Sequence, residues 1–94
     1  MDLKLKGKVV GITGGTSGIG EELALAFARE GCKVAVCGRN QAKIEAMKER
    51  FMAEGMDLFI MQTDVAVNAE LKAFVEAIVK EYGRLDIFIN NAGI

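Results

Sequence analysis

The 94-residue chain has no histidine, no proline and no tryptophan. Without histidine, imidazole acid–base chemistry and histidine-ligated metals are excluded. Cysteine is scarce: Cys32 and Cys37 do not form a Cys-x-x-Cys pair. Two thiols make no zinc site, so no metal is expected, and both are read as small, reduced, buried apolar residues. No uncharged apolar run approaches the roughly 20 residues that a membrane helix needs, so no membrane partner is expected. The first residues, Met1-Asp2-Leu3-Lys4, lack a basic flank leading into an apolar stretch. A secretory leader is therefore not expected, and the expected location is cytoplasmic. Charge is balanced, with 12 basic and 13 acidic residues and a net charge of −1. A nucleic-acid module would carry a clustered basic surplus, so nucleic acid is not an expected partner.

What is present is apolar and periodic. Hydrophobic residues make up 51% and charged residues 27%, the balance of one small globular domain. Four short apolar runs punctuate the chain: Lys8-Val9-Val10-Gly11-Ile12-Thr13, Lys33-Val34-Ala35-Val36-Cys37, Leu58-Phe59-Ile60-Met61 and Ile87-Phe88-Ile89. None alternates with polar residues, which predicts parallel strands covered on both faces. Helical periodicity lies between them. The first helix contains Leu23 and Phe27 and stops at Gly31. The second is capped by Asn40, buries Ile44, Met47 and Phe51, and ends before Gly55. The third carries a broad stripe of Leu71, Phe74, Val75, Ile78, Val79 and Tyr82, with Asn68 as candidate cap and Gly83 as stop. Met52, Met56 and Met61 read as core filler.

The resulting β-α-β-α-β-α-β order predicts a three-layer α/β fold. Its parallel four-strand sheet has order 3-2-1-4, with two helices on one face and one on the other. One helix cannot cover four strands, and the fourth strand is left at an edge. The expectation is therefore the first part of a larger fold, or a chain completed by a partner. A homo-oligomer or an aggregation-prone monomer follows from the uncovered face.

The chemistry concentrates at the strand ends. Thr13-Gly14-Gly15-Thr16-Ser17-Gly18-Ile19-Gly20 joins the first strand to the first helix. Glycines permit a sharp turn and close backbone approach, and the helix N-terminus offers N–H groups to a diphosphate. Thr16 and Ser17 add hydroxyl donors. The spacing, Gly14-x-x-x-Gly18-x-Gly20, differs from the common G-x-G-x-x-G fingerprint. The second strand ends in Cys37-Gly38-Arg39-Asn40 with no carboxylate for a ribose 2′-hydroxyl. Arg39 instead suits a 2′-phosphate, favouring NADP(H) over NAD(H). After the third strand, Asp64 can accept from an adenine amino group, or it can bond its own loop backbone. Asn90 and Asn91 after the fourth strand can bridge ligand and backbone.

Taken together, these residues resemble the short-chain dehydrogenase/reductase family, in its compact, 3-oxoacyl-carrier-protein-reductase-like branch. The resemblance rests on Thr13-Gly14-x-x-x-Gly18-x-Gly20, Asp64-Val65 and Asn90-Asn91-Ala92-Gly93, in order, and spans essentially the whole chain. It implies a Rossmann-like fold, here the N-terminal NAD(P)-binding part over residues 1–94, and NADP-dependent oxidoreduction of a carbonyl/alcohol pair. By that resemblance, Gly14, Thr16, Ser17, Gly18, Ile19 and Gly20 line the diphosphate and ribose. Arg39 meets the 2′-phosphate, Asp64 and Val65 hold adenine, and Asn91, Ala92 and Gly93 line the middle of the cofactor. The family's catalytic Ser, Tyr and Lys have no counterpart: the single tyrosine, Tyr82, is followed four residues later by Asp86 rather than Lys. No catalytic residue is therefore expected in this chain, and alone it is expected to be inactive. The competing expectations are a non-enzymatic nucleotide-binding or oligomerising module, and a ligand-free remnant.

Overall fold

A computed structural model of the chain describes residues 4–16 and 18–91. The strands are β1 (Val9–Thr13), β2 (Lys33–Gly38), β3 (Phe59–Gln62) and β4 (Ile87–Asn90). The helices α1 (Gly18–Arg29), α2 (Gln41–Ala53) and α3 (Asn68–Tyr82) alternate with them. All strand pairings are parallel, and the sheet order is β3-β2-β1-β4, as the alternation of elements implied. Register sets Gly11 of β1 between Ala35 of β2 and Phe88 of β4.

Burial follows from this order. β1 is central and buried along its length, and β2 is buried after its first residue. Successive side chains point to opposite faces. Val10, Ile12, Val34 and Val36 pack with Ala24 and Leu25 of α1 and with Met47 and Phe51 of α2. Val9, Ala35 and Cys37 pack on the other face with Phe74 and Ile78 of α3. Two helices thus cover one face and one helix the other.

The outer strands depart from expectation. β3 is half-buried and β4 alternates between half-buried and exposed, so neither is covered on both faces. The cause is α3, whose two buried side chains centre on β1 and β2. Of its stripe, Leu71, Val75 and Tyr82 are only half-buried, while Val79 is 44% exposed. Phe88 of β4 is 39% exposed beside it, its ring 6.5 Å from that of Phe74. Met52 is not core filler: at 77% exposed, it lies about 100° around the helix from Phe51 and faces outward. Met56 and Met61 are half-buried.

Helix ends mostly match their residue chemistry. The Asn40 side-chain oxygen accepts the Lys43 N–H at 3.1 Å and caps α2. Gly83 ends α3 in the left-handed region, φ 81°, where its N–H reaches the Val79 carbonyl. Asn68 is not the cap of α3. That place is taken by Val67, which has no capping side chain. A turn closed by the Val67 N–H on the Asp64 carbonyl (3.0 Å) brings the chain into the helix one residue early.

Candidate functional site

The carboxyl ends of the strands and the turns that follow them form the site. β1 delivers the chain into the glycine turn. Gly14 has φ 66°, a conformation that side-chain-bearing residues rarely adopt. Gly20 is held by close approach: a Cβ there would stand 2.2 Å from the Gly14 carbonyl oxygen and 2.7 Å from the Asn91 side-chain nitrogen. The turn is thereby wound tightly over the start of α1, where the first N–H groups have no partners within the helix.

The end of β4 fixes this turn from the side. The Thr13 hydroxyl donates to Asn90 Oδ1 (2.7 Å) and accepts the Asn91 N–H (3.0 Å). The Asn91 side chain donates to the Gly14 carbonyl (3.2 Å). Asn90 and Asn91 therefore satisfy the buried Thr13 hydroxyl and the Gly14 carbonyl, the protein side of the role expected for their amides.

Beside the turn lies a cavity of about 210 Å³ bounded by the ends of β1, β2 and β3 and the first turn of α2. Gly14, Thr16, Arg39 and Val65 meet there, as the strand order requires of loops at one sheet edge. Lys43 and Thr63 line it too and were not singled out from the sequence. A signal for Lys43 was present in its place three residues after the Asn40 cap; nothing local marked Thr63. Gln62 donates to the Arg39 carbonyl (3.0 Å), and the Thr63 N–H to the Gly38 carbonyl (2.9 Å), tying the β2 and β3 loops together.

A neighbouring cavity of about 270 Å³ shares Arg39 and Thr63 and adds Asp64 and Glu70. Asp64 does bond its own loop: Oδ1 accepts the Ala66 N–H at 3.0 Å, while its N–H donates to Glu70 (3.1 Å). Gly18 and Ile19 sit elsewhere, lining an open cleft with Glu21, Glu22 and Leu23. Ile19 is therefore apart from the Arg39 cavity. Ser17, Ala92 and Gly93 lie outside the described residues.

Cys37 lines the Arg39 cavity beside the glycine turn, but burial pushes its thiol up to about 11, so it stays protonated at neutral pH. Tyr82 is at the opposite edge of the sheet, at the end of α3, edge-on to Phe59 at 6.3 Å. Burial, then the charges of Glu81 and Asp57, raise its phenol further above the usual range. Among the described residues no group of three or more metal-ligating side chains converges, and no helix is long and apolar enough to cross a membrane.

A parallel sheet of this order, with a glycine turn opening onto its first helix, is the nucleotide-binding arrangement of the doubly wound α/β class. Residues 8–94 match the model of the family described as short chain dehydrogenase, and the chain belongs to that family. It is 40% identical over 92 residues to the 11-beta-hydroxysteroid dehydrogenase-like 4A protein of Arabidopsis thaliana, covering 97% of this chain and 31% of that protein. It is 43% identical over 84 residues to a 3-oxoacyl-acyl-carrier-protein reductase of Staphylococcus aureus, covering 88% and 34%. The crystal structure of L-sorbose reductase from Gluconobacter frateurii complexed with NADPH and L-sorbose superposes with a TM-score of 0.91. Its identity is 34%, with 100% of this chain and 36% of that one covered. The chain thus spans about a third of the length of the curated relatives it matches.

Proposed function

We propose that the chain is the NADP(H)-binding portion of a short-chain dehydrogenase/reductase that interconverts a carbonyl and an alcohol. The observation that carries this reading is the cavity where the glycine turn, Arg39 and Val65 converge at one sheet edge. Its chemistry fits the cofactor: a tightly wound glycine cradle, a cation at the end of β2, and no carboxylate among the lining residues. The NADPH in the sorbose reductase structure supports the same choice.

In this reading Gly14, Thr16, Ser17, Gly18, Ile19 and Gly20 hold diphosphate and ribose, and Arg39 holds the 2′-phosphate. The free oxygen of the Asp64 carboxylate and the Val65 backbone hold adenine, and Asn91, Ala92 and Gly93 follow the cofactor toward its middle. Bound there, the nicotinamide supplies or accepts a hydride. Tyr82, the single tyrosine, lies at the far edge of the sheet. In this reading the chain alone is inactive, and a further polypeptide segment supplies the acid–base group and the substrate pocket. A second copy or a completing chain covers β4 and the exposed Phe88 and Val79. The free, buried Cys32 and Cys37 suit a reducing, cytoplasmic setting.

Calorimetric titration of the chain with NADPH and with NADH tests the proposal. Binding that prefers NADPH is the expected outcome. A folded chain that binds neither nucleotide overturns it.

A further inference from the structure

Resting on the reading above, we propose that Lys43 is a second phosphate cation, working with Arg39 across the cavity beside the glycine turn to select the 2′-phosphorylated nucleotide. Arg39 leaves the end of β2, and Lys43 stands in the first turn of α2, four residues on. Both line the same cavity, and no aspartate or glutamate does. Among the described residues neither cation forms a salt bridge. Two like charges sharing one cavity repel, and an anion between them relieves that repulsion.

The position of Lys43 is unfavourable for the helix itself. The first turn of α2 contains no acidic residue, although the N-terminal end of a helix favours negative charge. A cation there works against the helix dipole until an anion is bound. An anion in this cavity would meet two side-chain cations and the positive helix end together, the arrangement that holds phosphates in folds of this class. Asn40 supports the geometry by capping α2 through the Lys43 N–H, and Gln62 fixes the Arg39 backbone. Lys43 therefore has a fixed main chain and a side chain free to reach a ligand.

The test is calorimetric titration of the full chain, and of its Lys43→Gln and Lys43→Arg variants, with NADPH and NADH. Lys43→Gln is expected to weaken NADPH binding on the order of tenfold, to leave NADH binding unchanged, and to be rescued by Lys43→Arg. The unchanged NADH affinity shows that the variant is folded. NADPH binding unaffected by Lys43→Gln, or equal losses for both nucleotides, overturns the role of Lys43 and leaves the cofactor reading standing. Failure of the unaltered chain to bind either nucleotide overturns both.

Discussion

Replacing Thr63 by valine is expected to make the protein more stable. Thr63 is 3% exposed, and among the described residues its hydroxyl is the buried side-chain oxygen that lacks a hydrogen-bond partner. Burying an unpaired hydroxyl costs about 1–3 kcal/mol. Valine keeps the shape, replaces the hydroxyl with a methyl group and retains the backbone bond from Thr63 N–H to Gly38. A gain of about 1 kcal/mol corresponds to a rise in Tm of about 4–8 °C for a domain of this size. Thermal denaturation followed by circular dichroism reads it directly. Thr13 supplies the matched control. It is also fully buried, but its hydroxyl donates to Asn90 and accepts from Asn91. Thr13→Val removes the bond to Asn90 and leaves the Asn91 N–H without its acceptor, and is expected to cost about 1–3 kcal/mol. Opposite signs at two buried threonines are the signature. A lower Tm for Thr63→Val would refute the reasoning, because it would show the hydroxyl to be paired.

Gly20→Ala is expected to destabilise the chain by about 1–3 kcal/mol, since the new methyl meets backbone and cannot be accommodated by a rotamer change; it should also abolish NADPH binding in calorimetry, and wild-type affinity would contradict the close approach to Gly14. The Asp86 carboxyl is held below its usual range, first by Arg84 and then by the Val9 N–H (2.8 Å). Its folded value lies below its unfolded one, so its contribution is present above about pH 4 and is lost as pH falls through the depressed value. The Tm of the unaltered chain should therefore fall more steeply below about pH 4 than that of Asp86→Asn, and parallel acid limbs would count against this. Phe88→Glu is expected to shift sedimentation velocity from an oligomer toward monomer; an unaltered chain that is already monomeric would dispose of the covered-face reading.

The Asn40 cap and the Gly83 stop were legible in the sequence because each depends on residues close in the chain, and strand order was legible because alternating strands and helices leave few parallel topologies. A cap reports its own helix. The same reasoning failed for Asn68, whose place depends on a turn beginning at Asp64, and for Met52, whose outward direction is set by which helical stripe meets the sheet. It also overestimated the cover on β3 and β4, since an apolar run shows what a strand can tolerate rather than what packs on it. The glycine turn and Arg39 were legible as local chemistry. Thr63 was not, because its part in the cavity arises only when β3 converges on the end of β2, and Lys43 showed only its place after the Asn40 cap. The structure also parts Gly18 and Ile19 from the Arg39 cavity, a separation that their closeness to Gly14 in the chain conceals.

The Asn91 amide that grips the Gly14 carbonyl lies 77 residues from it in the chain. Closing so long a loop is slow and entropically costly, and it yields nothing until the contact is made. The glycine turn can be synthesised early and still lack this support until β4 has docked beside β1. The cradle is therefore complete only once β4 has docked beside β1. Any local opening that frees β4 removes the Asn91 support of the Gly14 carbonyl, while the Gly15 N–H bond to the Cys37 carbonyl (3.2 Å) still ties the turn to β2.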